Sequence, residues 1–193
     1  MLKSLDLNAR LQKEADGLMA QVHLPELLKE YEEWFVGGSY AYHLMCWRDL
    51  DIYVLDREHN LKRAFNVAYE LAVRLKARKV RFTNNVDSEP KGLYWGIKMG
   101  DERRGAWKWD LWMLDREDYE RHQKYVAALH KRMTPSARLA ILEIKGAYWQ
   151  KREYRDTITS DQIYRAVLDH GVTSTEQFAE FVARGERGVS SHA

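Results

Sequence analysis

Apolar residues along the first third of the chain recur at helical spacing and then change period. Leu11, Leu18, Val22, Leu24, Leu27, Leu28 and Tyr31 follow a helix-type pattern over residues 8–32, broken near Pro25, which predicts two helical pieces. Trp34, Phe35 and Val36 then form a bulky apolar run that meets Gly37-Gly38, the mark of a short buried strand ending in a tight turn. Residues 50–55 alternate instead, with Leu50, Ile52 and Val54 on one face and Asp49, Asp51 and Tyr53 on the other, as in a strand. Residues 60–78 return to helical period, with Leu61, Phe65, Ala68, Leu71, Ala72 and Leu75 expected on the packed side. Residues 79–82, 93–99 and 106–114 read as further strands joined by turns rich in Asn, Asp, Pro and Gly.

From Arg116 onward the pattern is helical, over residues 117–132, 135–150, 161–170 and 175–184, with start signals at Asp115, Thr134, Ser160 and Thr173-Ser174. The expected fold class is α+β, a four- or five-stranded mixed β-sheet flanked by helices and followed by a helical C-terminal region. The division is residues 1–115 with the sheet, 116–184 with the helices, and an aperiodic tail over 185–193 that should fray. The last two helices partly resemble a helix-turn-helix reader, but Glu176, Gln177 and Glu180 on the second suit packing better than contact with phosphates.

The chemistry concentrates in the stretch WFVGGSYAYHLMCWRDLDIYV. Glycines let backbone approach a ligand closely, and Ser39 is placed to cap a short helix over residues 40–47, so its free amides would face an anion. Ten residues after Ser39 comes Asp49, and strand alternation projects it together with Asp51. Two carboxylates that close repel unless one is protonated or a cation lies between them. Magnesium suits the place, since it takes one or two protein carboxylates and completes its shell with water and phosphates. Without the glycine turn, the pair would read as turn caps on a solvated strand face. Asp110 is a third acid inside a strong strand, AWKWDLWML, where it shares a face with Lys108 and Trp112. A metal site shared with Asp49 and Asp51 explains it; an edge-strand Asp paired to Lys108 is the alternative. Asp115 reads as a helix cap and Asp101 as part of a turn.

An apolar strand, Gly37-Gly38-Ser39, a short helix, Asp49-Leu50-Asp51 and a later strand carrying Asp110 together resemble the nucleotidyltransferase superfamily typified by DNA polymerase β, over residues 30–115. The resemblance implies a nucleotidyltransferase core in which Gly37, Gly38 and Ser39 hold a nucleoside triphosphate (NTP), ATP among them. Asp49, Asp51 and Asp110 are then the catalytic and metal-binding residues around Mg2+, with two ions expected. The reaction implied moves a nucleoside monophosphate to a hydroxyl of an unidentified acceptor and releases pyrophosphate. A small molecule is the first expectation for that acceptor; RNA, protein or a non-catalytic nucleotide-binding role are the alternatives. Arg48 is assigned to the nucleotide, with Lys98, Arg103, Arg104, Lys108 and Lys145 as further cations. Tyr40, Tyr42, Trp47, Trp95 and Trp112 are candidates to stack a base, although core packing is the commoner role for such residues.

Composition narrows the partners. The 193 residues suffice for a real core, and 31 basic against 29 acidic residues give a formal charge of +2, which argues against broad attraction to nucleic acid or membrane. No stretch has the ~20 apolar residues of a membrane span, and the mixed-charge start is no signal peptide, so a cytoplasmic location is expected. The single cysteine, Cys46, reads as a buried structural thiol. His43 lies three residues before it without a second ligand pair for zinc, and His122, His130 and His170 sit among charged helical residues. Oligomeric state is not legible.

Overall fold

The computed structural model describes residues 2–185, so all of the expected tail but Gly185 lies outside the described residues. A long helix α1 (Leu2–Gln21) and a single turn α2 (Leu24–Leu27) precede β1 (Trp34–Val36). The turn α3 (Gly38–Ala41), β2 (Asp49–Leu55), α4 (Leu61–Arg74), β3 (Lys79–Asn84), β4 (Gly92–Lys98), a 3-10 turn at Glu102–Arg104 and β5 (Lys108–Leu114) complete the sheet region. The helices α5 (Arg116–Arg132), α6 (Pro135–Tyr148), α7 (Ser160–His170) and α8 (Thr175–Ala183) follow. The sheet is mixed and five-stranded, in the order β1-β2-β5-β4-β3, with β2 and β5 parallel and the other pairs antiparallel. That is the α+β architecture expected from the alternating and helical periods.

Start signals hold at most helices because short polar side chains take up free amides of the first turn. Asp115 accepts from the amide of Asp118, Thr134 from Ala137 and Ser174 from Gln177. At α7 the cap is Thr159, one residue before the expected Ser160. A larger departure follows the glycine turn: the helix expected over residues 40–47 is only α3, and Ser39 lies inside it while Gly37 holds the cap position without a side-chain bond. Destination explains the short helix. Met45 is buried with the sheet core, whereas Leu44, Cys46 and Trp47 are buried among the C-terminal helices, so neighbouring residues serve opposite cores, which the single buried stripe of a surface helix does not provide. His43, in the left-handed region at φ 55°, makes the break.

Two cores result. One lies behind the sheet, where α1, α2 and α4 cover Leu50, Ile52, Val54, Trp95, Ile97, Trp109, Leu111 and Met113. The other joins residues 42–47 to α5–α8 through Ile141, Ile144, Ile163 and Phe178. The stripe expected on α4 is only partly right. Ala64, Val67, Ala68, Leu71 and Leu75 are buried, while Leu61 and Phe65 are exposed, because the contact face is rotated about the helix from the one expected.

Candidate functional site

Strand period builds the site from the front of the sheet. In β2 and β5 every second residue enters the rear core, so Asp49, Asp51, Lys108 and Asp110 are left together on the opposite face. Parallel register sets Asp51 opposite Asp110 and Asp49 opposite Lys108. β5 is a central strand and Asp110 is 7% exposed, which removes the edge-strand alternative. Tyr94 on β4 donates its hydroxyl to Asp110 Oδ1 at 2.6 Å, and the Lys108 ammonium donates to Oδ2. The same ammonium lies 3.6 Å from Asp49 Oδ1, and Arg155 Nη2 lies 3.4 Å from Asp49 Oδ2.

Charge crowding is evident in the acid-base chemistry. Burial, followed by the charges of Asp49 and Asp110, pushes the Asp51 carboxyl up to about 8, against the pull of Lys108 and Arg155. Burial and then Asp49 raise the Asp110 carboxyl as well, with Lys108 and Tyr94 opposing. Burial alone would lower the Lys108 ammonium; Asp49 and Asp110 outweigh it and hold it above its ordinary value.

The glycine turn fits against these acids. Gly37 donates its amide to the Asp51 carbonyl at 2.9 Å. Gly38 has φ +55°, and a Cβ there would stand 1.8 Å from Asp51 Oδ2, so no other residue lets the turn sit this close to the carboxylate. At Gly37 a Cβ would stand 2.4 Å from the Tyr53 ring. Beneath the turn, Lys145 of α6 is fully buried and donates to Ser39 Oγ at 2.7 Å, the Leu44 carbonyl at 2.9 Å and Tyr164 Oη at 3.0 Å. All three acceptors are neutral oxygens. A buried ammonium with no carboxylate among its hydrogen-bond partners calls for an anion nearby.

A cleft of about 360 Å³ opens over Gly38, Ser39, Asp49 and Asp51. Its far wall comes from α5, α7 and the loop before α7, which supply Tyr125, Asp161, Tyr164, Tyr154 and Arg155. Of the residues proposed to stack a base, Tyr42 and Trp47 line this cleft. Trp95 is a core residue, 1% exposed; Trp112 packs on Tyr94; and the Tyr40 hydroxyl donates to Asp16 at 2.6 Å. Arg48 is a second correction. Its guanidinium is bidentate to Glu14 at 2.6 and 3.0 Å and donates to the Gly105 carbonyl, outside the cleft lining. Lys98 pairs with Glu102, and Arg104 lies 3.7 Å from Asp101.

No sequence signal marks Arg155, which reaches Asp49 from the loop between α6 and α7 and also bonds Glu102 at 2.8 Å. It lies in the left-handed region at φ 69°, in a loop without periodicity. Asp161, Tyr125 and Tyr164 were equally hidden, since each resembles an ordinary amphipathic-helix residue in sequence. Cys46 is inert, as burial pushes its thiol up to about 11.

Magnesium suits the donor set at Asp49 and Asp51. Asp49 Oδ1 is buried and without a hydrogen-bond partner, and Asp51 is forced toward its protonated form by burial and then by the neighbouring carboxylates, both of which a divalent cation would relieve. Among the described residues no group of three or more His, Cys, Asp or Glu forms a protein cage for a metal. Magnesium requires none, because water and phosphate oxygens supply most of its ligands.

No protein-family model and no curated protein matches the sequence. Solved structures do match in fold. The Cid1 poly(U) polymerase with magnesium and 3'-dATP aligns at TM-score 0.55 and 16% identity over 81% of this chain and 48% of its own. A second Cid1 structure, described for its RNA terminal uridylyl transferase activity, aligns at 0.55 and 17% over 89% and 53%. A cytoplasmic RNA terminal U-transferase aligns at 0.52 and 17% over 86% and 51%. The chain spans about half the length of the solved proteins it matches. Among the described residues no helix is long and apolar enough to cross a membrane. In its mixed sheet and flanking helices the chain is similar in fold to these solved structures, and on that fold it carries the glycine turn and the facing acids.

Proposed function

We propose that this protein is a magnesium-dependent nucleotidyltransferase that moves a nucleoside monophosphate from an NTP to an acceptor hydroxyl. The observation that carries the reading is the juxtaposition of Gly38 against Asp51 with Lys145 buried beneath Ser39. It supports the reading because a cradle for an anion would then lie beside acids that a cation would relieve.

Asp49 and Asp51 would hold magnesium, with Asp110 beside them, and bound there the metal would neutralise charge on the phosphates and on the attacking and leaving oxygens. The Gly37-Gly38 backbone admits the triphosphate close to the acids, and Lys145 offsets its charge through the Ser39 end of the turn. Arg155, held between Asp49 and Glu102, stands where it can shift to the phosphates. Lys108 keeps Asp110 oriented, and Asp110 is the group assigned to take the acceptor's proton. An acceptor oxygen forms a bond to the α-phosphorus, the bond from that phosphorus to the bridging oxygen breaks, and pyrophosphate leaves.

Two acceptor readings stand. A small molecule fits the near-balanced charge of the chain. An RNA end is favoured by a separate observation: solved structures of similar fold include a poly(U) polymerase and an RNA terminal U-transferase. Incubation with each α-labelled NTP, magnesium, and pools of small molecules, RNA or protein tests both and identifies the preferred base. Asp49→Asn and Asp51→Asn should abolish labelling while circular dichroism is unchanged. Undiminished labelling in those variants would sink the catalytic reading, and nucleotide binding without turnover in every pool would assign a binding role instead.

A further inference from the structure

The exposed apolar residues of this protein are not scattered. Among the described residues, every exposed large apolar side chain except Leu5 lies on α4 or β3: Leu61, Phe65, Tyr69, Val73, Val80 and Phe82. The four on α4 are spaced by four residues and form a second stripe beside the one that packs on the sheet. Phe65 and Phe82 meet at 4.7 Å between ring centroids, and both touch the buried Trp95, which joins helix and strand into one surface. Tyr69 is 66% exposed and Val73 55%. A contiguous apolar surface of this kind marks an interaction site more often than chance exposure.

β3 is also the end strand of the sheet, so its outer row of backbone N–H and C=O groups has no strand against it. Its two faces differ. Val80 and Phe82 pair with Ile97 and Trp95 on the rear, apolar side, while Lys79 and Arg81 pair with Lys98 and Gly96 on the front. No carboxylate partners Lys76, Arg78, Lys79 or Arg81 among the described residues. A strand added to this edge would therefore meet apolar side chains on one face and cations on the other, alternating residue by residue.

We propose that the β3 edge and the exposed stripe of α4 form a docking site for an extended polypeptide segment in which acidic and apolar residues alternate. The added strand takes the free hydrogen bonds of β3, sets its acids opposite Lys79 and Arg81, and covers Val80, Phe82 and Phe65 with its apolar side chains. Three other occupants fit less well. A second copy pairing through β3 sets Lys79 and Arg81 against their own counterparts, like charge on like. A lipid surface would desolvate the open strand edge without bonding it. Single-stranded RNA would stack on Phe82 or Tyr69 but has no use for Leu61, Val73 and Val80.

The test uses the full chain and two synthetic ten-residue peptides, one alternating Glu with Val and Phe, the other with Lys in place of every Glu. Fluorescence anisotropy should show the acidic peptide binding about tenfold or more tighter than the basic one. The double variant Lys79→Glu/Arg81→Glu should invert that preference, and hydrogen exchange should slow at β3 amides in the complex. Equal binding of both peptides, no binding of the acidic one, or binding without protection of β3 overturns the proposal. So does a wild-type dimer with β3 protected in the absence of peptide, or occupation of this face by single-stranded RNA or phosphatidylserine vesicles when the acidic peptide leaves it free.

Discussion

The two faces of the β2–β5 pair are made from the same two strands and obey opposite rules. Behind the sheet, Leu50, Ile52, Trp109 and Leu111 are wholly buried among other apolar groups, and each contact there favours the folded chain. In front, burial and then the charge of Asp49 raise the proton affinity of Asp51 and Asp110, an arrangement that weakens the folded state when all three are charged. The rear face supplies the stability that lets the front face hold repelling charges in place. Rear-face mutations on one strand should therefore lower stability, whereas front-face mutations should remove chemistry and relieve repulsion.

The largest expected effect is on chemistry. Asp51→Asn should lower nucleotide transfer by about 10³-fold or more. The same variant should stabilise the protein, with a definite sign in pH. The Asp51 carboxyl, raised from its ordinary 3.8 to about 8, contributes stability that is complete below about 4 and is lost as pH rises through 8. Calorimetry without metal should find the variant and wild type alike near pH 4, and the variant higher in Tm by about 5 °C at pH 9. A gap that fails to widen with pH would show that the front face carries no stored repulsion.

The mirror-image variant is Trp109→Ala on the rear face, which should cost about 3–5 kcal/mol in urea unfolding. Activity per folded molecule should fall far less than in Asp51→Asn. Equal losses would mean that the two faces are not separable. Lys145→Met tests the cradle: the methionine keeps the apolar bulk, while affinity for pyrophosphate measured by calorimetry should drop about ten- to a hundredfold. The smallest effect belongs to Asn60, whose side chain caps α4 behind the sheet by accepting from the Arg63 amide at 3.1 Å. Asn60→Ala should cost about 1 kcal/mol and leave transfer untouched. A measurable loss of activity there would link α4 to the front face.

These contrasts also mark what could be read from sequence. Alternation in β2 and β5 told which residues share a face, so Asp49, Asp51 and Asp110 were legible before any coordinates. The glycine turn was legible because few residues other than glycine permit its backbone. What failed was everything decided by distant partners. Arg48 is followed immediately by the acids, yet its charge goes to Glu14 of α1, 34 positions earlier. Arg155 meets Asp49 across 106 positions, and no local pattern encodes such a meeting. Residues 42–47 have the composition of a helix but serve two cores at once, and tertiary burial outweighs helix propensity there. The α4 stripe shows the same limit, since periodicity told that the helix had an apolar side and not which half of it the sheet would use.

The ammonium of Lys145 has one further consequence. It is rooted in α6, among the C-terminal helices, and its tip is bonded to the glycine turn of the sheet region, so one charge belongs mechanically to both halves of the molecule. An anion settling on that turn must tighten the grip between the halves, and by reciprocity whatever loosens the grip must release the anion by the same factor. Substrate affinity and cohesion of the cleft are thus one equilibrium measured from two ends. A probe of how firmly α6 is seated would then read the occupancy of the glycine turn by an anion.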